Sequence, residues 1–305
     1  LKKIKTYLQK KTLGLKNRMS RIYPPGLRGM DLYAFLRFFV VGLKHGKITS
    51  RASSIAYKFF IALVPAILFV LCFIPYVPIA GFQERLIALI QDVFPPEIYG
   101  YIEQALMDVL TVQRLDLLSF GFLMALFFSV NGMHSVMRSF DDSYHKTDNR
   151  SEITQYLISL LLVFIMAFLV ILIIASISLG ENFLQNLIES GILQKKSSFL
   201  LLKYGKWLLL ALFVFISIAI VYYLAPSHKK KFKGIIPGAV LSTILSLVVT
   251  LGLNYFISNL ARFNEFFGSI GTLIVTLLWI YYNSIILLLG FEFNISIANA
   301  PKSKT

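Results

Sequence analysis

Six long apolar stretches, divided by short polar ones, set the rhythm of this chain. They lie at about 55–77, 117–137, 156–179, 207–224, 234–258 and 270–297. A helix rises 1.5 Å per residue, so about 20 apolar residues cross the roughly 30 Å hydrocarbon layer of a bilayer. The pattern predicts an all-α, polytopic membrane bundle of six transmembrane helices. Two of the stretches carry a second pattern. In the fifth, Gly238, Ser242, Ser246, Thr250, Asn254 and Ser258 recur at every fourth residue, just after Pro237. Small residues at that spacing let helix backbones approach closely, so a packing face is expected, with a polar path lining as the alternative. In the sixth, Thr272, Thr276, Asn283, Gly290 and Asn294 fall near one stripe, while Tyr281 and Glu292 fall near the opposite one. This span is expected to pack against protein on two sides. Glu292 is the one charge in its apolar run, which makes it a candidate for a substrate or ion path.

The segments between the spans differ in kind. Positions 31–47 place Leu32, Phe35, Leu36, Phe39, Val40 and Leu43 at helical spacing, with Arg37, Lys44 and Lys47 elsewhere. That is the mark of an interfacial amphipathic helix, too short and too charged to span. Pro65 falls inside the first span and is expected to kink it. After that span, acid-rich pieces at 82–93 and 97–112 flank Pro95-Pro96 and predict short helices in the first outer loop. The third span is apolar all round and is expected to be the most lipid-facing. The organisation read from this is a basic tail at 1–30 followed by a six-span membrane domain at 31–300.

Composition supports the same class. Hydrophobic residues make up 57% of the chain and charged residues 15%, with mean hydropathy +0.72. Soluble domains run nearer 45–50% apolar and about 25% charged. A net charge of +15 fits either nucleic acid or an anionic membrane surface, and its distribution decides between them. Six spans put both termini on one side, and most of the 30 Lys and Arg residues fall there. The positive-inside rule makes that side cytoplasmic and points to the inner membrane. The expected partners are membrane lipids, with the tail drawn to anionic headgroups at the cytoplasmic face. Basic and aromatic residues do not interleave in a groove, so no nucleic-acid partner is expected. Oligomeric state is not readable. Cys72 stands alone, which excludes an intrachain disulfide and a cysteine metal cluster. The basic start is not followed at once by a short apolar core and a small-residue cleavage site, so no removable signal peptide is expected.

Candidate chemistry is sparse. His45, His134, His145 and His228 stand at no metal-ligand spacing, and no phosphate-cradling glycine loop is present. No catalytic residue, metal or cofactor is expected, and ribonuclease chemistry is not supported. The richest cluster is the end of the second span. There Asn131, His134, Ser135, Arg138 and Asp142 step by three or four residues and are expected to share a helix face. Arg138 and Asp142 are spaced for an i, i+4 ion pair. The alternative is that Arg138 meets a lipid phosphate through its planar fork. Lys58 is expected to snorkel to the interface and Tyr57 to pack.

Four stretches resemble the YihY/virulence factor BrkB family: RASSIAYKFFIALVPAILF at the first span, the asparagine-containing second span with Arg138 and Tyr144, IIPGAV at the fifth, and GSIGTLIVTLLWIYYNSIILLLGFEFN at the sixth. The resemblance covers about 31–298 and leaves the basic arm outside it. It implies a six-span inner-membrane protein, once labelled ribonuclease BN, with relatives tied to serum resistance or to lipid transport. The function expected is a transporter or flippase-like carrier of a lipid or other amphipathic substrate. The alternative is a membrane scaffold holding envelope partners. A carrier calls for a water-accessible cavity lined by Asn254, Asn283 or Glu292, and a scaffold for a filled core.

Overall fold

The computed structural model describes residues 47–76, 107, 112–142, 150–190, 195–227, 234–259 and 261–298. The basic tail at 1–30, the interfacial helix at 31–47 save Lys47, and the outer pieces at 82–93 and 97–112 save Met107 and Val112 lie outside the described residues. So do His45, His145 and His228.

The described chain is helical, with no strand among these residues. In order the helices are α1 (Ile48–Phe73), α2 (Leu115–Asp141), α3 (Glu152–Glu189), α4 (Lys195–Leu224), α5 (Ile236–Asn259) and α6 (Ala261–Ala298), with a 3-10 turn at Ile74–Tyr76 after α1. Among the described residues, six helical spans are long and apolar enough to cross a membrane. In a bilayer every backbone polar group must be satisfied within the segment, and only a helix does that with a single strand of chain.

Local signals explain several helix ends. Ser151 precedes α3 and its Oγ accepts from the Thr154 backbone N–H at 3.4 Å, with Glu152 in the first turn facing the positive end of the helix dipole. Arg138 sits in the last turn of α2, where a cation is favoured. Pro237 occupies the first turn of α5, where its missing N–H costs nothing. Pro65 lies inside α1.

The chain divides into two compact units, one made of Leu1–Ile55 with Met133–Thr305 and the other of Ala56–Gly132. In the first, α3 packs on α4, α4 on α5, and α5 on α6. Its buried side chains include Ile55, Val136, Met137, Phe140, Leu162, Tyr222, Ile235, Leu288 and Ile295. They come from the start of α1, the end of α2, the start of α3, the end of α4, the start of α5 and the end of α6. Of the six spans, α3 is the least buried. It presents Ile153, Leu157, Leu161, Phe164, Phe168 and Ile171 outward at helical spacing.

The second unit joins the rest of α1 to the first part of α2. A Cβ at Gly121 would lie 3.2 Å from the Phe69 backbone nitrogen, and one at Gly132 would lie 3.3 Å from the Phe59 ring. Phe69 packs on Phe122 with centroids 5.5 Å apart, and Gln113 Nε2 donates to the Pro75 carbonyl at 3.2 Å. Tyr57 does not pack as expected. It is 64% exposed, on a flank of α1 suited to lipid.

Candidate functional site

The site grows from Glu292. Its position two turns from the end of α6 turns it into the core of the first unit, where it is 1% exposed. A carboxylate there needs a counter-charge, and Arg51 supplies it from the first turn of α1. Arg51 Nη2 lies 3.0 Å from Glu292 Oε1, and Arg51 itself is 9% exposed. Its Nη1 donates to the Ser139 carbonyl at 2.6 Å, so one guanidinium ties α1, the end of α2 and the end of α6. Phe291 stacks on Phe140 with centroids 4.0 Å apart, and Tyr222 packs edge-on to Phe140 at 5.9 Å. Burial of both partners holds the local dielectric down, which strengthens the attraction and raises the cost of losing either one.

Beside the pair, α5 and α6 lock together. Asn294 Oδ1 accepts the Gly238 N–H at 2.7 Å, and its Nδ2 donates to the Ile235 carbonyl at 2.9 Å. One turn on, Tyr222 Oη donates to the Leu287 carbonyl at 2.6 Å and lies 2.8 Å from Ser242 Oγ. Ser242 also donates to the Ile286 carbonyl at 3.0 Å. Ser246 donates to Asn283 Oδ1, and Trp279 Nε1 donates to Thr250 Oγ1 at 3.1 Å. The glycines make this approach possible. A Cβ at Gly290 would sit 2.5 Å from Tyr222 Oη and 2.7 Å from the Gly238 carbonyl, and one at Gly238 would sit 2.5 Å from the Asn294 side chain.

A separate polar pocket of about 140 Å³ opens where α2 ends and α3 begins, lined by Arg138, Asp141, Asp142, Arg150, Glu152 and Gln155. Its floor is fixed. Buried Asp141 accepts from Gln155 Nε2 at 3.1 Å through Oδ2, and from Ser227 Oγ at 2.7 Å through Oδ1. Arg150 Nη1 caps the last carbonyl of α4, Leu224, at 3.1 Å.

The sequence candidates are therefore distributed over three places. Gly238, Ser242, Ser246 and Thr250 meet Asn294, Gly290, Asn283 and Trp279 along the α5–α6 seam. Glu292 joins Arg51, while Tyr281 lies three turns away on the same helix, half-buried against the Tyr282 ring at 5.7 Å. Asn254 and Pro237 are exposed. The five candidates at the end of α2 fall within about 100° around the helix but go to different partners. Asn131 donates to the Phe127 carbonyl of its own helix, buried His134 stacks on Tyr156 at 4.1 Å, and Ser135 lies 3.2 Å from Ser54 Oγ. Only Arg138 and Asp142 reach the pocket. They do not form the expected i, i+4 pair: among the described residues the ion pair within 4.0 Å is Arg51–Glu292. Both side chains are exposed, and water screens what an exposed pair would gain.

Sequence reasoning missed Arg51, Asp141 and Tyr222. The signal for Arg51 was available, because a carboxylate held inside a membrane requires a cation from another span. Among the described residues no group of three or more His, Cys, Asp or Glu is placed to hold a metal ion.

Comparison with known proteins accords with this architecture. Residues 39–305 match the model of the family described as virulence factor BrkB. The chain is 28% identical over 246 residues to the ribonuclease-like protein YfkH of Bacillus subtilis (strain 168), covering 80% of this chain and 88% of that one. It is 32% identical over 76 residues to a UPF0761 membrane protein of Xanthomonas campestris pv. campestris (strain B100), covering 25% of this chain and 18% of the relative. A UPF0761 membrane protein of Xanthomonas oryzae pv. oryzae (strain PXO99A) is 32% identical over 84 residues, 28% of this chain and 20% of its own length. No solved structure matches. With the family model spanning most of its length, this six-helix membrane chain belongs to the virulence factor BrkB family.

Proposed function

We propose that the protein is a carrier that moves a lipid or other amphipathic substrate across the inner membrane. The observation that carries this reading is the Arg51–Glu292 ion pair, 3.0 Å long and buried between the first and last spans. A bundle that needs only to stay closed has cheaper means, and the α5–α6 seam uses them: small residues and hydrogen bonds to backbone carbonyls. A buried pair loses several kcal/mol per ion to desolvation, and its attraction returns that only when the geometry is held. What such a pair adds is a contact with two states, formed when the ends of α1, α2 and α6 are together and broken when they part. Intramembrane charges also mark transport paths more often than they mark inert packing.

The reading also takes both termini to be cytoplasmic, supported by the concentration of Lys and Arg on that side. It takes the 1–30 tail to be held by anionic headgroups, with no nucleic acid as a partner. A reporter fused after Thr305 tests the orientation.

The decisive experiment is reconstitution into vesicles carrying fluorescently labelled phospholipids, with transfer between leaflets followed by quenching. Wild type is expected to speed transfer over empty vesicles, and Glu292→Gln to abolish most of that gain. Wild type that folds and inserts but transfers no faster than empty vesicles overturns the proposal. A second reading, a scaffold for envelope partners, is favoured by the interlocked α5–α6 seam, and that null result is its expected outcome.

A further inference from the structure

We propose that the pocket between the end of α2 and the start of α3 receives a zwitterionic phospholipid headgroup, one bearing a phosphate and an ammonium. This deepens the carrier reading by naming its substrate class, and it rests on that reading for its link to transport.

The argument starts from which lining groups are already committed. Asp141 is buried and spends both oxygens on the protein, one on Gln155 at 3.1 Å and one on Ser227 at 2.7 Å. Its charge belongs to the fold. The groups presented to the opening are Arg138, Asp142 and Glu152, all exposed, together with the part of the Arg150 guanidinium not used on the Leu224 carbonyl. A guanidinium has five N–H donors and no acceptor, so Arg150 keeps donors to give after capping α4. The mouth therefore offers two guanidiniums and two carboxylates side by side.

That mixture discriminates. A bare phosphate would gain from the arginines but lie against Asp142 and Glu152. A bare cation would gain from the carboxylates but lie against Arg138 and Arg150. A ligand carrying both charges a few bonds apart satisfies both sets, with the phosphate held bidentately by the arginine forks and the ammonium by the carboxylates. The room fits the idea: a cavity of about 140 Å³ that opens outward has space for a small headgroup.

A free zwitterion and a lipid share this chemistry, and the surroundings favour the lipid. Glu152 and Gln155 on the pocket wall are interleaved with Ile153, Tyr156 and Leu157, which are 75%, 43% and 61% exposed. From there Leu161, Phe164, Phe168 and Ile171 continue an outward apolar stripe along α3. At about 100° per residue that stripe lies on the other side of α3 from Glu152 and Gln155, so the acyl chains of a bound headgroup run first over Ile153 and Tyr156, the exposed apolar neighbours of Glu152.

The test uses the full chain purified in detergent, with bound lipid counted by native mass spectrometry. The probes are phosphatidylethanolamine, phosphatidylglycerol, and soluble phosphoethanolamine as competitor. Wild type is expected to prefer phosphatidylethanolamine by about tenfold, the equivalent of one good charge-assisted hydrogen bond. Arg138→Gln and Asp142→Asn alter exposed side chains that make no described hydrogen bond, so both variants are expected to melt like wild type. Arg138→Gln is expected to lower occupancy by both lipids several-fold, because both carry the phosphate, and Asp142→Asn to lower phosphatidylethanolamine several-fold while leaving phosphatidylglycerol close to its starting level. Equal occupancy by the two lipids, or a preference unchanged in Asp142→Asn, overturns the proposal. Displacement of bound lipid by equimolar phosphoethanolamine overturns the lipid as occupant and points to the free headgroup. The leaflet-transfer assay separates the two readings. Selective binding with no transfer sinks the carrier and leaves the site. Transfer whose headgroup preference is the same in wild type and Asp142→Asn sinks the site and leaves the carrier.

Discussion

The two ends of the α5–α6 pair are built from the same helices and behave as different materials. At one end, Gly238, Ala239 and Ser242 on α5 and Leu288, Gly290 and Asn294 on α6 are all buried, and Ser242 and Asn294 bond across to backbone. At the other, Ile244, Val248, Leu251 and Tyr255 on α5, and Leu273, Leu277 and Trp279 on α6, face outward. The outward end is the more apolar, yet it is the less packed. In water that would be a contradiction. In lipid it is expected, because acyl chains solvate leucine as well as another leucine does, and helices join where backbones approach closely and polar groups find partners.

That contrast can be broken from the packed side first. Glu292→Ala leaves the Arg51 guanidinium buried without its counter-charge and is expected to cost about 3–5 kcal/mol, read as a fall in detergent melting temperature. Pairing it with Arg51→Met is expected to recover most of the loss, and a double-mutant cycle measures the coupling. Gly290→Ala forces a Cβ against Ser242, Tyr222 and the Gly238 carbonyl, and about 1–3 kcal/mol of overpacking is expected by the same melt. Asn294→Ala removes the acceptor for Gly238 N–H and the donor to Ile235 O, at a cost of about 1–2 kcal/mol. On the open side, Val248→Ala is expected to stay within about 0.5 kcal/mol of wild type. A Val248 loss as large as that at Gly290 would show that the outward end is covered by protein rather than lipid.

These differences also mark what could be read from the residues alone. Six spans follow from length and hydropathy, because crossing a bilayer constrains composition over some twenty consecutive positions. The every-fourth-residue stripe of α5 was legible as a packing face, since close approach needs small residues wherever the partner lies. Which helix it meets was not, and so the sequence set Glu292 apart without naming Arg51, 241 positions earlier. The end of α2 shows the limit more finely. Asp141 and Asp142 are neighbours about 100° apart around the helix, and nothing local says which turns inward. Gln155 and Ser227, from two other elements, decide it in favour of Asp141.

The placement of the ion pair has a consequence for biosynthesis. Arg51 enters the membrane with α1, and Glu292 arrives only with α6. Until then the guanidinium has the Ser139 carbonyl and no opposite charge. A ribosome that stalls before α6 thus releases a chain in which the Arg51 guanidinium lacks Glu292, whereas in the chain that includes α6 the two are paired. Synthesis through α6 is in this way written into the electrostatics of the product, as a closure between two spans made far apart in time.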